Sequence, residues 1–295
     1  MVSQYRVGSI IGSEGRFEVF KMLGKGSFGA VYLCKDLIAA KDPTNTEPLN
    51  VALKVEMKGK TLKNEVDCYR LLRGTGFEAV PTCYGANVLS RPHFITMSIE
   101  GLSWSDIQSK SKDEIVSMKR LLSLGFHSIA AFESIHKVGV LHCDVRSANL
   151  CLSASPGKNT ILLLDFGLSI KVKLESDRRI YSSRATRRTG FSSPRVAEGN
   201  RPQELDDLYS LCLIFLTMRN AWEFYDAPLE EQIIQKKALF ADPAAFLEPE
   251  EFFLVPIVRA VSTQSYDGLP NYGTITNSFH SIVGFDQDYC IKNPM

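Results

Sequence analysis

The sequence predicts an α+β fold, with a small sheet-rich portion over about the first 97 residues and a larger helical portion after it. Three observations predict it. The N-terminal third carries short alternating stretches, one of them broken by clustered glycines. The middle and last thirds carry apolar residues at helical spacing, notably over about 112–137 and 205–218. Between those helical stretches lie two brief apolar runs, Leu150-Cys151-Leu152 and Ile161-Leu162-Leu163-Leu164, separated by a Pro156-Gly157 turn signal.

Composition bounds the function classes. The 295 residues are 44% hydrophobic and 23% charged, ordinary for a globular protein, and could hold one large domain or two modest ones, of which a single domain over 1–295 is the expectation. With 34 basic and 33 acidic residues the net charge is +1, so bulk charge attracts neither nucleic acid nor a membrane surface. Seven scattered cysteines lack paired metal-site spacing and read as reduced packing residues. Met1-Val2-Ser3-Gln4-Tyr5-Arg6 has no apolar signal core and no run is long enough to span a membrane, so a cytoplasmic or nuclear monomer is expected. Residues 41–48 read as a polar loop.

Taken in order, Phe17-Glu18-Val19-Phe20-Lys21-Met22-Leu23 alternates as a strand, Gly24-Lys25-Gly26-Ser27-Phe28-Gly29 interrupts it, and Ala30-Val31-Tyr32-Leu33-Cys34 resumes. This is a hairpin with a glycine-rich tip, a device that lets backbone N–H groups approach phosphate oxygens. The pattern alone is weak, but a strand rather than a helix follows it, which argues against a dinucleotide-binding unit. Val51-Ala52-Leu53-Lys54-Val55 is an apolar strand with one lysine. Leu62, Val66, Tyr69 and Leu72 form a helical stripe beside which Glu65 falls; it is the expected acidic partner of Lys54, with Glu56 and Asp67 as alternatives. His93 to Gly101 reads as a strand running into a connector. A helix from about Lys112 to Lys137 ends at Gly139. Leu205–Met218 reads as a buried central helix and Leu229–Leu239 as an amphipathic one, with Trp222, Phe224 and Tyr225 as packing residues.

Two stretches carry the chemistry: Leu141-His142-Cys143-Asp144-Val145-Arg146-Ser147-Ala148-Asn149 and Leu164-Asp165-Phe166-Gly167. They resemble the catalytic loop and metal-binding triplet of a protein kinase. Along the chain, Val51-Ala52-Leu53-Lys54-Val55-Glu56, Leu62-Lys63-Asn64-Glu65-Val66, Glu133-Ser134-Ile135-His136-Lys137-Val138-Gly139, Asp206-Asp207-Leu208-Tyr209-Ser210-Leu211 and Leu269-Pro270-Asn271-Tyr272 resemble the casein kinase 1 superfamily, nearest its tau-tubulin-kinase-like branch, over about residues 5–288. The resemblance implies a bilobal protein-kinase-like fold: a β-rich N-lobe to about 97, a hinge at about 98–101 and a helical C-lobe beyond. ATP and Mg²⁺ would act in the cleft, on a protein substrate.

Residue by residue, the resemblance implies Asp144 as catalytic base, Arg146 where a phosphate-contacting lysine usually stands, and Asn149 and Asp165 as metal ligands. It implies a Lys54–Glu65 ion pair, nucleotide contacts from Gly24, Lys25, Gly26, Ser27, Phe28, Gly29, Val31 and Ala52, and adenine contacts at Met97, Ser98 and Glu100. Asp207 would brace the catalytic loop, and His142 reads as a core residue rather than a base. Three departures stand out. Cys143 replaces an arginine that reads a phosphorylated activation loop. The run Asp144-Val145-Arg146-Ser147-Ala148-Asn149 is similar to the Asp-Leu-Arg-Ala-Ala-Asn of some tyrosine kinases. The segment around Thr186, Arg187 and Arg188 matches the family only loosely, whereas the lack of an Ala-Pro-Glu triplet is what such kinases show. Seven arginines but one acidic residue, Glu198, lie between 178 and 201, so either a solvated loop or an anion pocket for acidic or primed substrates is expected. A Ser/Thr kinase is the leading reading and a nucleotide-binding pseudokinase the alternative.

Overall fold

The computed structural model describes residues 5–26, 28–41, 44, 49–57, 61–73, 79–154, 161–172, 190–222, 224 and 226–293. They fall into two compact units: one holds the described residues up to Glu100 except Ala79, and the other holds Ala79 and those from Gly101 onward.

The first unit is built on a six-stranded antiparallel sheet, in the order β1-β2-β3-β4-β6-β5, with one helix. The strands are β1 (Ile10–Ile11), β2 (Phe17–Lys25), β3 (Gly29–Asp36), β4 (Asn50–Glu56), β5 (Cys83–Asn87) and β6 (Phe94–Met97), and the helix α1 is Leu62–Arg73. Strand alternation sorts the side chains. Val51, Leu53 and Val55 of β4 join Phe17, Val19, Ala30, Tyr32, Cys34 and Phe94 in one hydrophobic core. Ala52, Lys54 and Glu56 therefore take the opposite face. The register sets Val31 across from Lys54 and Met97 across from Ala52, so these four side chains share that second face. Within the glycine-rich turn only Gly29 is demanded by the sheet, because a Cβ there would lie 2.1 Å from the Val55 carbonyl oxygen.

The second unit is mainly helical. Its elements are α2 (Trp104–Lys110), α3 (Met118–Lys137), β7 (Val140–Leu141), β8 (Leu150–Leu152), β9 (Ile161–Leu163), β10 (Ile170–Lys171), α4 (Pro194–Ala197), α5 (Glu204–Met218), α6 (Leu229–Ala241), α7 (Pro243–Phe246), α8 (Val255–Ser262), α9 (Tyr272–His280) and α10 (Tyr289–Lys292). Helix α5 is buried along nearly its whole length, as its continuous apolar sequence requires, and α3 packs against it and against α9. Close approach of α3 to α5 depends on Gly125, where a Cβ would meet the Phe215 ring at 2.6 Å. Trp222 is buried against Phe224 and Phe246, as expected of packing residues, while Tyr225 lies outside the described residues. Among the described residues no helix is long and apolar enough to cross a membrane.

The helix expected from Lys112 begins instead at Met118. Ser111 is extended, Asp113 and Glu114 are left-handed with φ of 53° and 57°, and Ser117 is extended as the N-cap. The Val116 N–H is committed to the Met218 carbonyl, so this segment docks on the end of α5 rather than continuing the α-helix. Its apolar spacing was real, but tertiary hydrogen bonding overrode local propensity.

Candidate active site

In the first unit the side chain of Lys54 reaches α1, where its Nζ lies 2.6 Å from Oε2 of Glu65, which is almost fully buried. Of the two alternative partners, Asp67 lies against Arg70 on the exposed side of α1, and Glu56 is hydrogen-bonded elsewhere. Gly24 and Lys25 pair with Val31 and Ala30, and Gly26 N–H closes the turn on the Gly29 carbonyl at 2.9 Å. A Cβ on Gly24 or Gly26 would meet nothing within 4 Å. Sterically the fold does not need glycine at either position, so the bare backbone there remains open to a ligand. Phe28 is partly exposed and its carbonyl accepts from Met57, and Ser27 lies outside the described residues. In the connector the Ser98 N–H is committed to the Thr82 carbonyl at 2.9 Å, and its hydroxyl donates to Glu100. That amide is therefore not one an adenine would use.

In the second unit two short ladders frame the chemistry. Pairing of Leu141 with Ile170 joins β7 to β10, and pairing of Leu150 with Leu163 joins β8 to β9. The second ladder continues through the Leu164 N–H to the Asn149 carbonyl at 2.9 Å, so Asn149 and Asp165 end adjacent strands side by side. Asn149 Nδ2 donates to the Asp144 carbonyl at 2.9 Å and to Asp144 Oδ2 at 3.1 Å, fixing that carboxylate. With its amino group so engaged, Asn149 has its Oδ1 left as an acceptor. Arg146 Nε stands 3.6 Å from Asp144 Oδ2.

His142 is a core residue, 1% exposed. Its Nδ1 accepts the Asp144 N–H at 3.3 Å, so the other nitrogen, Nε2, must carry the proton it donates to the Leu164 carbonyl at 2.9 Å. One imidazole thus links the backbone of Asp144 to the residue before Asp165.

Asp207, in the first turn of α5, holds the loop from beneath. Its Oδ2 accepts the His142 N–H at 2.7 Å and its Oδ1 the Cys143 N–H at 2.9 Å. Burial pushes its pKa up, but hydrogen bonding and charge from His136, with further help from His142, outweigh this and hold it below the usual carboxylate range. His136 Nε2 donates to the ionised Asp207 at 2.9 Å, and His136 Nδ1 is hydrogen-bonded to the hydroxyl of Tyr272 on α9. Neither His136 nor Tyr272 was legible as a site residue, because nothing local in the sequence joins positions so far apart.

Cys143 is left-handed, φ 63°, as is Asp165, φ 65°. Non-glycine residues rarely adopt this conformation, and here both occur where the candidate chemistry is concentrated. Burial, then the charges of Asp207, Asp206 and Asp144, push the Cys143 thiol well above its ordinary value, so it supplies no charge of either sign. Nearby, Ser193 and Arg195 at α4 and Tyr266 converge on Asp206, with Arg195 Nη2 at 2.9 Å and its guanidinium over the Tyr266 ring. Thr186, Arg187 and Arg188 lie outside the described residues.

The donor set suits a hard cation. Carboxylate and carboxamide oxygens are the ligands magnesium takes, and it draws the rest from water and phosphate. Among the described residues no group of three His, Cys, Asp or Glu could hold a metal ion.

Comparison with known proteins gives the fold first. A solved structure of vaccinia related kinase 3 superposes with a TM-score of 0.73 at 18% identity, covering 95% of this chain and 91% of that one. The chain has the protein kinase fold, a β-sheet lobe and a helical lobe. The description "Protein kinase domain" matches residues 17–253, and the chain belongs to that family. It is similar to a "Probable serine/threonine-protein kinase" of Dictyostelium discoideum, 25% identical over 96% of this chain. A casein kinase 1-like protein of Oryza sativa subsp. japonica is also 25% identical, over 92% of it. The chain spans 57% and 40% of the length of these two relatives.

Proposed function

We propose that this protein transfers the γ-phosphoryl group of ATP to serine or threonine of a protein substrate. The single observation that carries the reading is the Asp144 carboxylate held by Asn149 Nδ2 at 3.1 Å, in a loop whose backbone is fixed by Asp207. In this reading Asp144 orients the substrate hydroxyl and takes its proton as the oxygen forms a bond to the γ-phosphorus and the bond to the β,γ-bridging oxygen breaks, releasing ADP. Lys54, held by Glu65, binds the α- and β-phosphates, and the open backbone at Gly24 and Gly26 covers them. Asn149 Oδ1 and Asp165 would hold Mg²⁺, which when bound neutralises charge on the phosphate oxygens. Arg146 keeps a cation near the transferring group, as a planar fork rather than a point charge.

Within the family we assign the chain to the casein kinase 1 group, nearest the tau-tubulin-kinase-like branch, on the motifs that it carries. With Cys143 neutral, a phosphorylated activation loop has no cation to meet there, and the arginines of 178–201 favour acidic or primed substrates instead. The Arg146 contact to Asp144 is the feature that speaks for the alternative, a pseudokinase that binds nucleotide without useful turnover.

The test is incubation with labelled ATP and Mg²⁺ and with acidic, primed and neutral peptides bearing Ser, Thr or Tyr, beside Asp144→Asn. Transfer to Ser/Thr lost in the variant is expected, faster on acidic or primed peptides and less so in high salt. Transfer to Tyr overturns the residue class. ATP-induced stabilisation without transfer moves the reading to the pseudokinase.

A further inference from the structure

Glu56 ends β4 on the face that also carries Lys54, and it is an acidic residue that the phosphoryl-transfer machinery does not use. Its carboxylate turns toward α1. Oε1 accepts the N–H of Thr61 at 2.8 Å and of Leu62 at 3.1 Å, two donors at the start of a helix that have no partner within it. Oε2 lies 3.1 Å from His93 Nδ1, and the Glu56 N–H donates to the His93 carbonyl at 3.0 Å. The Glu56 side chain is 8% exposed. A carboxylate here also faces the positive end of the helix dipole. One turn further on, Glu65 N–H closes on the Thr61 carbonyl at 3.1 Å, and Glu65 meets Lys54.

We infer that Glu56 is a positioning residue: it fixes the first turn of α1 to the end of β4 and thereby holds Glu65 on Lys54, with His93 bracing its carboxylate. A helix cap usually comes from the residue just before the helix. Here the cap comes from the strand that bears the lysine, so one side chain ties both partners of the ion pair to a common frame. The consequence for phosphoryl transfer rests on the proposed kinase activity, but the positioning itself does not.

The experiment reads Lys54 directly, by the rate at which an amine-reactive acylating reagent labels it in the full chain, followed by mass spectrometry. Glu65→Ala sets the scale: losing the carboxylate lowers the proton affinity of the amine, and about tenfold faster labelling corresponds to one pH unit of it. Glu56→Ala is expected to accelerate labelling in the same direction, Glu56→Gln to restore most of the wild-type rate because its carbonyl still accepts from Thr61 and Leu62, and His93→Ala to have a smaller effect. In the double variant Glu56→Ala/Glu65→Ala the rate should equal that of Glu65→Ala alone. Independent, multiplying effects, or a lower Tm with Lys54 labelling unchanged, overturn the inference. Should Glu56→Ala not fold, His93→Ala in the presence and absence of Glu65 decides between the same two outcomes. Peptide phosphorylation measured alongside gives a kcat/KM for each variant. Absence of transfer by the wild type would count against the kinase reading alone, since the labelling pattern stands without turnover.

Discussion

Lys236 on α6 is fully buried, and among the described residues its Nζ has one weak partner, Gln232 Oε1 at 3.4 Å. Among the described residues no carboxylate pairs with it, whereas its neighbour Lys237 pairs with Glu198 at the surface. Burial pulls the Lys236 amine from its ordinary 10.5 down to about 8. At about 1.4 kcal/mol for each pH unit, this is a charge penalty of about 3 kcal/mol at neutral pH. The native state sheds its proton near pH 8 and the unfolded chain near 10.5, so between those values the unfolded chain binds more protons and stability rises with pH. Lys236→Met keeps the aliphatic volume and removes the charge, at a cost of about 1 kcal/mol for the Gln232 contact. The variant should therefore be more stable than the wild type by about 2 kcal/mol at pH 7, with the advantage gone by about pH 10 and reversed above it, where only the lost Gln232 contact remains. Urea denaturation of both proteins at pH 7, 8, 9 and 10 measures this. Groups titrating in both, such as the buried Cys34 and Tyr209, cancel in the difference. A variant less stable than the wild type at pH 7, or a difference that does not move with pH, would refute the argument.

Other perturbations test the site. Tyr272→Phe leaves His136 Nδ1 buried without its hydrogen-bond partner and should cost about 1–3 kcal/mol in chemical denaturation. It should also speed hydrogen exchange at the His142 and Cys143 amides of the loop more than at amides within α5. Gly29→Ala forces a Cβ into the Val55 carbonyl and should destabilise the first unit, by a loss of Tm. Gly26→Ala meets nothing and should leave Tm unchanged while weakening ATP binding in calorimetry. Cys143, its thiol held protonated, should resist iodoacetamide at pH 8 while denatured protein reacts there readily, as peptide mapping would report.

Local pattern made much of this molecule legible. Alternation in β2, β3 and β4 and the stripe of Leu62, Val66, Tyr69 and Leu72 appear as strands and a helix within a residue or two of where periodicity sets them. The spacing of Asp144, Asn149 and Asp165 is itself the candidate site, since a loop and two short paired strands bring them together. Where the expected helix over 112–137 failed at its start, the cause was a hydrogen bond from Val116 to Met218, distant in sequence.

By itself, then, the sequence determined the strands β2, β3 and β4, the helices α1 and α5 and the identity of the groups available for chemistry, because side-chain periodicity and short-range motifs are properties of neighbouring residues. Only the tertiary structure decided which acidic residue meets Lys54, and that Glu56 caps α1 instead. It alone brought His136, Tyr272 and Asp207 under the loop of His142 and Cys143. Those contacts join residues brought together by chain packing, where burial drives most donors and acceptors to find a partner, and no spacing along the chain encodes which partner that will be.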